Sequence, residues 1–89
     1  MIEIWKFELG FADSQIVKGP DLIPLSVGVQ KEIPCLWGTV NTDEEEAEHE
    51  IIMYGAGHRW THNREDLEFL GTFQLMGGRF VQHVFVVVA

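Results

Sequence analysis

The chain has 89 residues, of which 46% are apolar and 22% charged. That is the composition of one small globular domain, far short of the roughly 250 residues an α/β barrel needs. Fourteen acidic residues against six Lys and Arg give a net charge of −8 with His neutral, which argues against nucleic acid as a ligand, because phosphate contacts need a basic stripe.

Cys35 is the single cysteine, so no disulfide forms within the chain and a reducing compartment is expected. No apolar run approaches the roughly 20 residues of a membrane-spanning helix. Met1–Lys6 lacks a basic start followed by an apolar stretch and is not a signal peptide. The expectation is a cytoplasmic protein with no membrane partner.

In chain order, Ile2–Leu9 reads as a strand rich in Ile, Trp and Phe. Its alternation changes phase between Ile4 and Trp5, which predicts a bulge near Trp5 or burial on both faces. Gln15–Lys18 is a short strand closed by Gly19-Pro20-Asp21. Leu22–Gln30 alternates best, with Ile23, Leu25, Val27 and Val29 on one face. Pro24 places itself near the strand start or on an edge, because it cannot donate to a ladder. Lys31-Glu32 is a tight turn without the favoured Asn-Gly chemistry.

Ile33–Val40 returns as a strand, and an acidic run follows. Glu48–Tyr54 is the next strand, broken by Gly55-Ala56-Gly57. His58–Asp66 is a polar excursion in which Asn63 is placed to cap one short helical turn near residues 63–66. Leu67–Met76 is a strand with Leu67, Phe69, Gly71, Phe73 and Leu75 on one face. Gly77-Gly78 is a hairpin turn, and Arg79–Val88 closes the chain. Val84–Val88 is apolar on both faces, which suits a central strand or an edge covered by another subunit. With no helical period, about seven short strands mean an all-β fold, a single small antiparallel sandwich or barrel spanning residues 1–89. The apolar last strand in so small a chain points to a homo-oligomer.

Two groups of residues stand out as candidate binding sites. Tyr54, Gly55, Gly57, His58, Arg59 and Trp60 combine a flexible backbone, a cation and aromatics. Converging N–H groups of such a turn can hold an anion, Arg59 can add a bidentate contact, and the two rings can stack on a planar ligand. Asp43, Glu44, Glu45, Glu46, Glu48 and Glu50 form an acidic patch suited to a basic protein partner. Removing that run leaves eight acids against six bases. Trp5 and Trp37 lie in apolar strands and are assigned to the core, whereas Trp60 is the candidate exposed anchor.

No catalytic group is assigned. Cys35 follows Pro34 in an apolar strand and reads as a small buried hydrophobe, with no adjacent base to activate it. Cys35, His58, His62 and His83 could together supply four metal ligands, but no spacing motif supports it. Neither a metal nor a cofactor is expected.

The chain resembles a family of small uncharacterised phage and prophage proteins. The resemblance rests on Ile4-Trp5-Lys6-Phe7, Leu25-Ser26-Val27-Gly28-Val29-Gln30, Pro34-Cys35-Leu36-Trp37, Tyr54-Gly55-Ala56-Gly57-His58, Gly71-Thr72-Phe73 and His83-Val84-Phe85, in that order along nearly the whole chain. Two places depart from it: Lys31-Glu32, where the family has a Gly-containing turn, and Val86–Ala89, where it ends early and acidic. The resemblance implies a viral origin and a host-cell cytoplasm, and supplies no activity. By analogy of genome niche, the expected function is a non-enzymatic accessory binding protein that modulates its host or blocks a defence by occupying a host protein. The alternatives are an oligomeric binder or sequestering agent for a small anionic, nucleotide-like signal, and a structural virion or assembly component.

Overall fold

In the computed structural model, which describes residues 1–88, the chain forms two antiparallel sheets. Seven strands are present among the described residues: β1 (Ile2–Glu8), β2 (Ser14–Pro20), β3 (Ile23–Gln30), β4 (Ile33–Asn41), β5 (Glu46–Tyr54), β6 (Leu67–Leu75) and β7 (Phe80–Val87). The three-stranded sheet has the order β1-β4-β3 and the four-stranded sheet β2-β5-β7-β6. They face each other as a sandwich, the arrangement two half-apolar sheets need to bury their inner faces. A 3-10 turn at Arg64–Asp66 fulfils the expected helical turn, with Asn63 at the cap position but making no side-chain capping bond.

The core is filled by alternate residues of both sheets. Leu36 and Val40 from β4 meet Ile51 and Met53 from β5, Phe73 and Leu75 from β6, and Val84 and Val86 from β7. Each such side chain contributes about 1.5–3 kcal/mol on full burial. The apolar last strand lies inside its sheet, paired with β5 on one side and β6 on the other. Its hydrophobicity fits that central position in the sheet.

Three expectations about which side chains face inward need correction. The phase change in β1 is neither a bulge nor burial on both faces. β1 pairs with β4 in unbroken register from Ile2↔Asn41 to Glu8↔Cys35, and Ile2 and Ile4 stay exposed on the outer face. Trp5 is not core: it lies near the rim of an edge strand, 37% exposed, with its indole N–H donated to Glu3 Oε1 at 2.8 Å. Trp37 is half-buried, and its ring lies against the Cα of Gly28, where a Cβ would come within 3.3 Å of it.

The third correction concerns the two best alternating segments. Bulges interrupt β3 between Pro24 and Ser26, and β6 between Phe69 and Gly71. A bulge adds one residue and so flips the side chains on one side of it to the opposite face. Val27 and Val29 pack on the core while Ile23 and Leu25 are exposed. Likewise Phe73 and Leu75 are buried while Phe69 is exposed. β3 packs against β6 at this corner, where a Cβ on Gly71 would lie 3.0 Å from Val27 Cγ2.

Candidate functional site

Ile52 and Tyr54 of β5 and Phe85 of β7 alternate with core residues and therefore lie on the outer face of the four-stranded sheet. Three large apolar groups on an outer face need cover, and the segment after β5 supplies it. Gly57 turns the chain with φ +86°. The His58 N–H donates to the Gly55 carbonyl at 3.1 Å, and the Gly55 N–H donates to His58 Nδ1 at 2.9 Å. Trp60 then stacks on Tyr54 and meets Phe85 edge-on, with ring centroids 5.0 Å apart. Tyr54 Oη ties down the far end: it accepts the Thr61 N–H at 3.1 Å and lies 2.7 Å from His62 Nδ1. Ile52 and Tyr54 end up buried although they point away from the core.

This segment forms one wall of a cleft whose other wall is the turn Phe11–Ser14. The outer part, about 380 Å³, is lined by Asp13, Ser14, Tyr54, His58, Arg59 and His62, among others. An inner part of about 320 Å³ shares Asp13, Met53 and His58 and adds Phe11, Phe80 and Gln82. Of the residues expected to bind a ligand, Tyr54, His58 and Arg59 line the cleft, whereas Gly55, Gly57 and Trp60 shape the loop beside it. The Gly55 N–H is already taken by His58. The stacked faces of Tyr54 and Trp60 are likewise occupied by each other.

Gln82, Asp13 and Thr61 were not singled out by sequence reasoning, and His62 was weighed only as a metal ligand. Gln82 left a readable signal. It is the one polar member of the inward row Phe80, Gln82, Val84, Val86, and a polar group in such a row needs a partner. Thr61 and His62 continue the segment that holds His58 and Arg59, whereas Asp13 comes from a separate turn that only folding brings to the cleft.

The acidic residues divide by role. Glu46, Glu48 and Glu50 alternate along β5 opposite Pro20, Lys18 and Ile16. Glu48 pairs with Lys18 at 3.4 Å, and Glu50 accepts a hydrogen bond from Ser14 Oγ at 2.6 Å. Asp43 holds the N-terminal ammonium at 2.6 Å. Glu44 and Glu45 sit in the exposed turn before β5 with no ion pair among the described residues. That turn is tied to the start of β1, because the Thr42 N–H donates to the Met1 carbonyl at 2.9 Å. It therefore borders the outer face of the three-stranded sheet, where Ile4 is 66% and Ile23 57% exposed. Both residues pair with Thr39, so they flank it side by side. Ile2, Ile4, Ile23 and Trp37 make the end of this face near the turn apolar, with Leu25 exposed in the adjoining bulge, and Lys6, bonded to Gln30 at 2.9 Å, makes its far end polar.

The remaining histidines are engaged within the fold: His49 Nε2 lies 2.7 Å from the Leu22 carbonyl, and His83 Nδ1 lies 2.9 Å from Thr72 Oγ1 across the β6–β7 pair. Cys35 is 1% exposed in β4, with its thiol 3.4 Å from the Ile33 carbonyl. Among the described residues, no three His, Cys, Asp or Glu side chains gather as a metal site would require. No helix is long and apolar enough to cross a membrane.

A family model described as a domain of unknown function (DUF7352) matches residues 1–89, and the chain belongs to that family. Comparison with curated proteins and with solved structures found no match.

Proposed function

We propose that this DUF7352 protein is a non-enzymatic binding protein that docks on a basic protein partner through the outer face of its three-stranded sheet. The observation that carries the reading is the junction of exposed Ile2, Ile4 and Ile23 with the acidic turn Asp43–Glu45. An apolar centre edged by charge is the anatomy of a recognition surface. Its complement is a partner with an apolar anchor and Lys or Arg at the rim. The rim charges steer encounter while the apolar centre supplies affinity. A second copy of the chain fits less well, since it would bring two acidic turns into one interface.

The resemblance to phage proteins supports a partner in the infected host, and occupation of a defence component remains the most specific form of this reading. An assembly role through strand addition by β7 lacks a free edge, because both sides of that strand are paired.

The test uses immobilised chain to capture proteins from a bacterial lysate, followed by affinity measurement on the purified captured protein. Ile4→Glu and the double substitution Glu44→Lys with Glu45→Lys change exposed side chains and leave the fold intact. The expected partner binds wild type, weakens with added salt, and loses at least about tenfold in affinity to each variant, or about 1.4 kcal/mol. Capture that is unchanged by both variants would overturn the reading.

A further inference from the structure

We propose that the cleft between the Phe11–Ser14 turn and the Gly55–His62 segment binds a nucleoside monophosphate, at a site separate from the docking face. The central observation is Gln82. It is 8% exposed, yet none of the side-chain hydrogen bonds among the described residues involves its amide. No buried side-chain polar atom is sealed off without a partner, so both amide atoms open on the inner part of the cleft that Gln82 lines. A polar side chain this deep in a row of core residues needs a partner, and for Gln82 that partner has to come from the cleft.

The surrounding groups define what fits. A Cβ on Gly55 would lie 2.9 Å from Gln82 Nε2 and 3.5 Å from His58 Cε1, so the amide and the imidazole both stand close beside this glycine. His58 Nδ1 accepts the Gly55 N–H, which places the proton of the neutral ring on Nε2 and leaves it as a donor. The carboxamide of Gln82 offers a donor and an acceptor side by side, the complement of a nucleobase edge. Met53, Phe80 and Phe11 give that inner space apolar walls for a planar ring. Arg59 stands at the outer part with no ion pair among the described residues, and its planar fork suits a phosphate. The two spaces, about 320 and 380 Å³, leave room for a base and a ribose phosphate in turn and fall in the size range of small-molecule sites. The site is complete within one chain and needs no neighbouring subunit.

The experiment is a titration of the full ¹⁵N-labelled chain, followed by NMR, with the four common ribonucleoside 5′-monophosphates and with inorganic phosphate, each at millimolar concentration. At least one nucleotide is expected to shift the Gln82 side-chain amide together with the backbone amides of Gly55 and Arg59. Gln82→Met keeps the side-chain length and removes only the polar atoms, so it folds; it and Arg59→Ala should each weaken binding at least about tenfold. The proposal is overturned if no nucleotide moves the Gln82 amide, if phosphate alone reproduces every shift, or if both variants bind as wild type does.

Discussion

Trp60 lies flat on Tyr54, with ring centroids 4.4 Å apart and planes 17° from parallel. The stack closes the loop over β5 and puts Trp60 to work inside the protein, although it remains 40% exposed. Trp60→Ala should therefore destabilise the fold by about 1–3 kcal/mol, the combined loss of an aromatic pair and of apolar cover on Ile52 and Phe85. Urea unfolding checks this. A midpoint equal to wild type would mean that the indole is a free surface anchor.

Tyr54 contributes through its hydroxyl as well as its ring. Tyr54→Phe removes the acceptor of the Thr61 N–H and the neighbour of His62 Nδ1. The expected loss is about 1 kcal/mol, typical of one net hydrogen bond. The more specific sign is local: amide exchange at Thr61 should accelerate while exchange at Ile51 and Val84, in the core, keeps to the change in global stability.

The hairpin between β3 and β4 carries strain that substitution can relieve. Gln30 pairs with Ile33, leaving a two-residue turn in which Lys31 has φ +51° and Glu32 φ +63°. Both values belong to the left-handed region, where Asn and Gly are favoured in such turns. Lys31→Asn with Glu32→Gly should raise stability by about 1 kcal/mol, seen as a higher thermal midpoint. No gain would mean that Lys31 and Glu32 make compensating contacts.

Gly38 marks the opposite case. A Cβ there would lie 2.7 Å from Leu22 Cδ1 and 2.8 Å from the Ile23 carbonyl oxygen. The second contact is backbone and cannot swing aside. Gly38→Ala should cost about 1–3 kcal/mol through overpacking and displace the start of β3. Calorimetry and the chemical shifts of Ile23 report on it, and a fully stable variant would show that this part of β3 is free to move.

The strands themselves were legible in the sequence. Apolar alternation and turn residues such as the Gly77-Gly78 pair mark all seven, and the helical turn after Asn63 was placed correctly, whereas Gly19 and Pro20, expected to close β2, are its last two residues, paired with Ala47 and Glu46. Small errors lie at the ends. The loop after β6 holds four residues, because Met76 adopts φ +54° together with the two glycines and leaves the strand. The residues of the cleft were legible in part. Tyr54, His58 and Arg59 sit together in sequence, whereas Asp13 and Gln82 reach the same space from other turns and strands.

What the sequence determined by itself is the periodicity, and with it an all-β chain of short strands. What only the tertiary structure decided is the phase. A period of two admits either face as the buried one, and a single extra residue at a bulge exchanges them. Val27 and Leu25 read alike along the chain, yet one packs on the core and the other meets solvent, because the bulge between Pro24 and Ser26 lets β3 turn against β6. The apolar face of Ile4 and Ile23, and the cleft that Gln82 opens into, exist for the same reason. Each depends on which side of a sheet a residue takes, and that is fixed by the packing of two sheets rather than by neighbours in the chain.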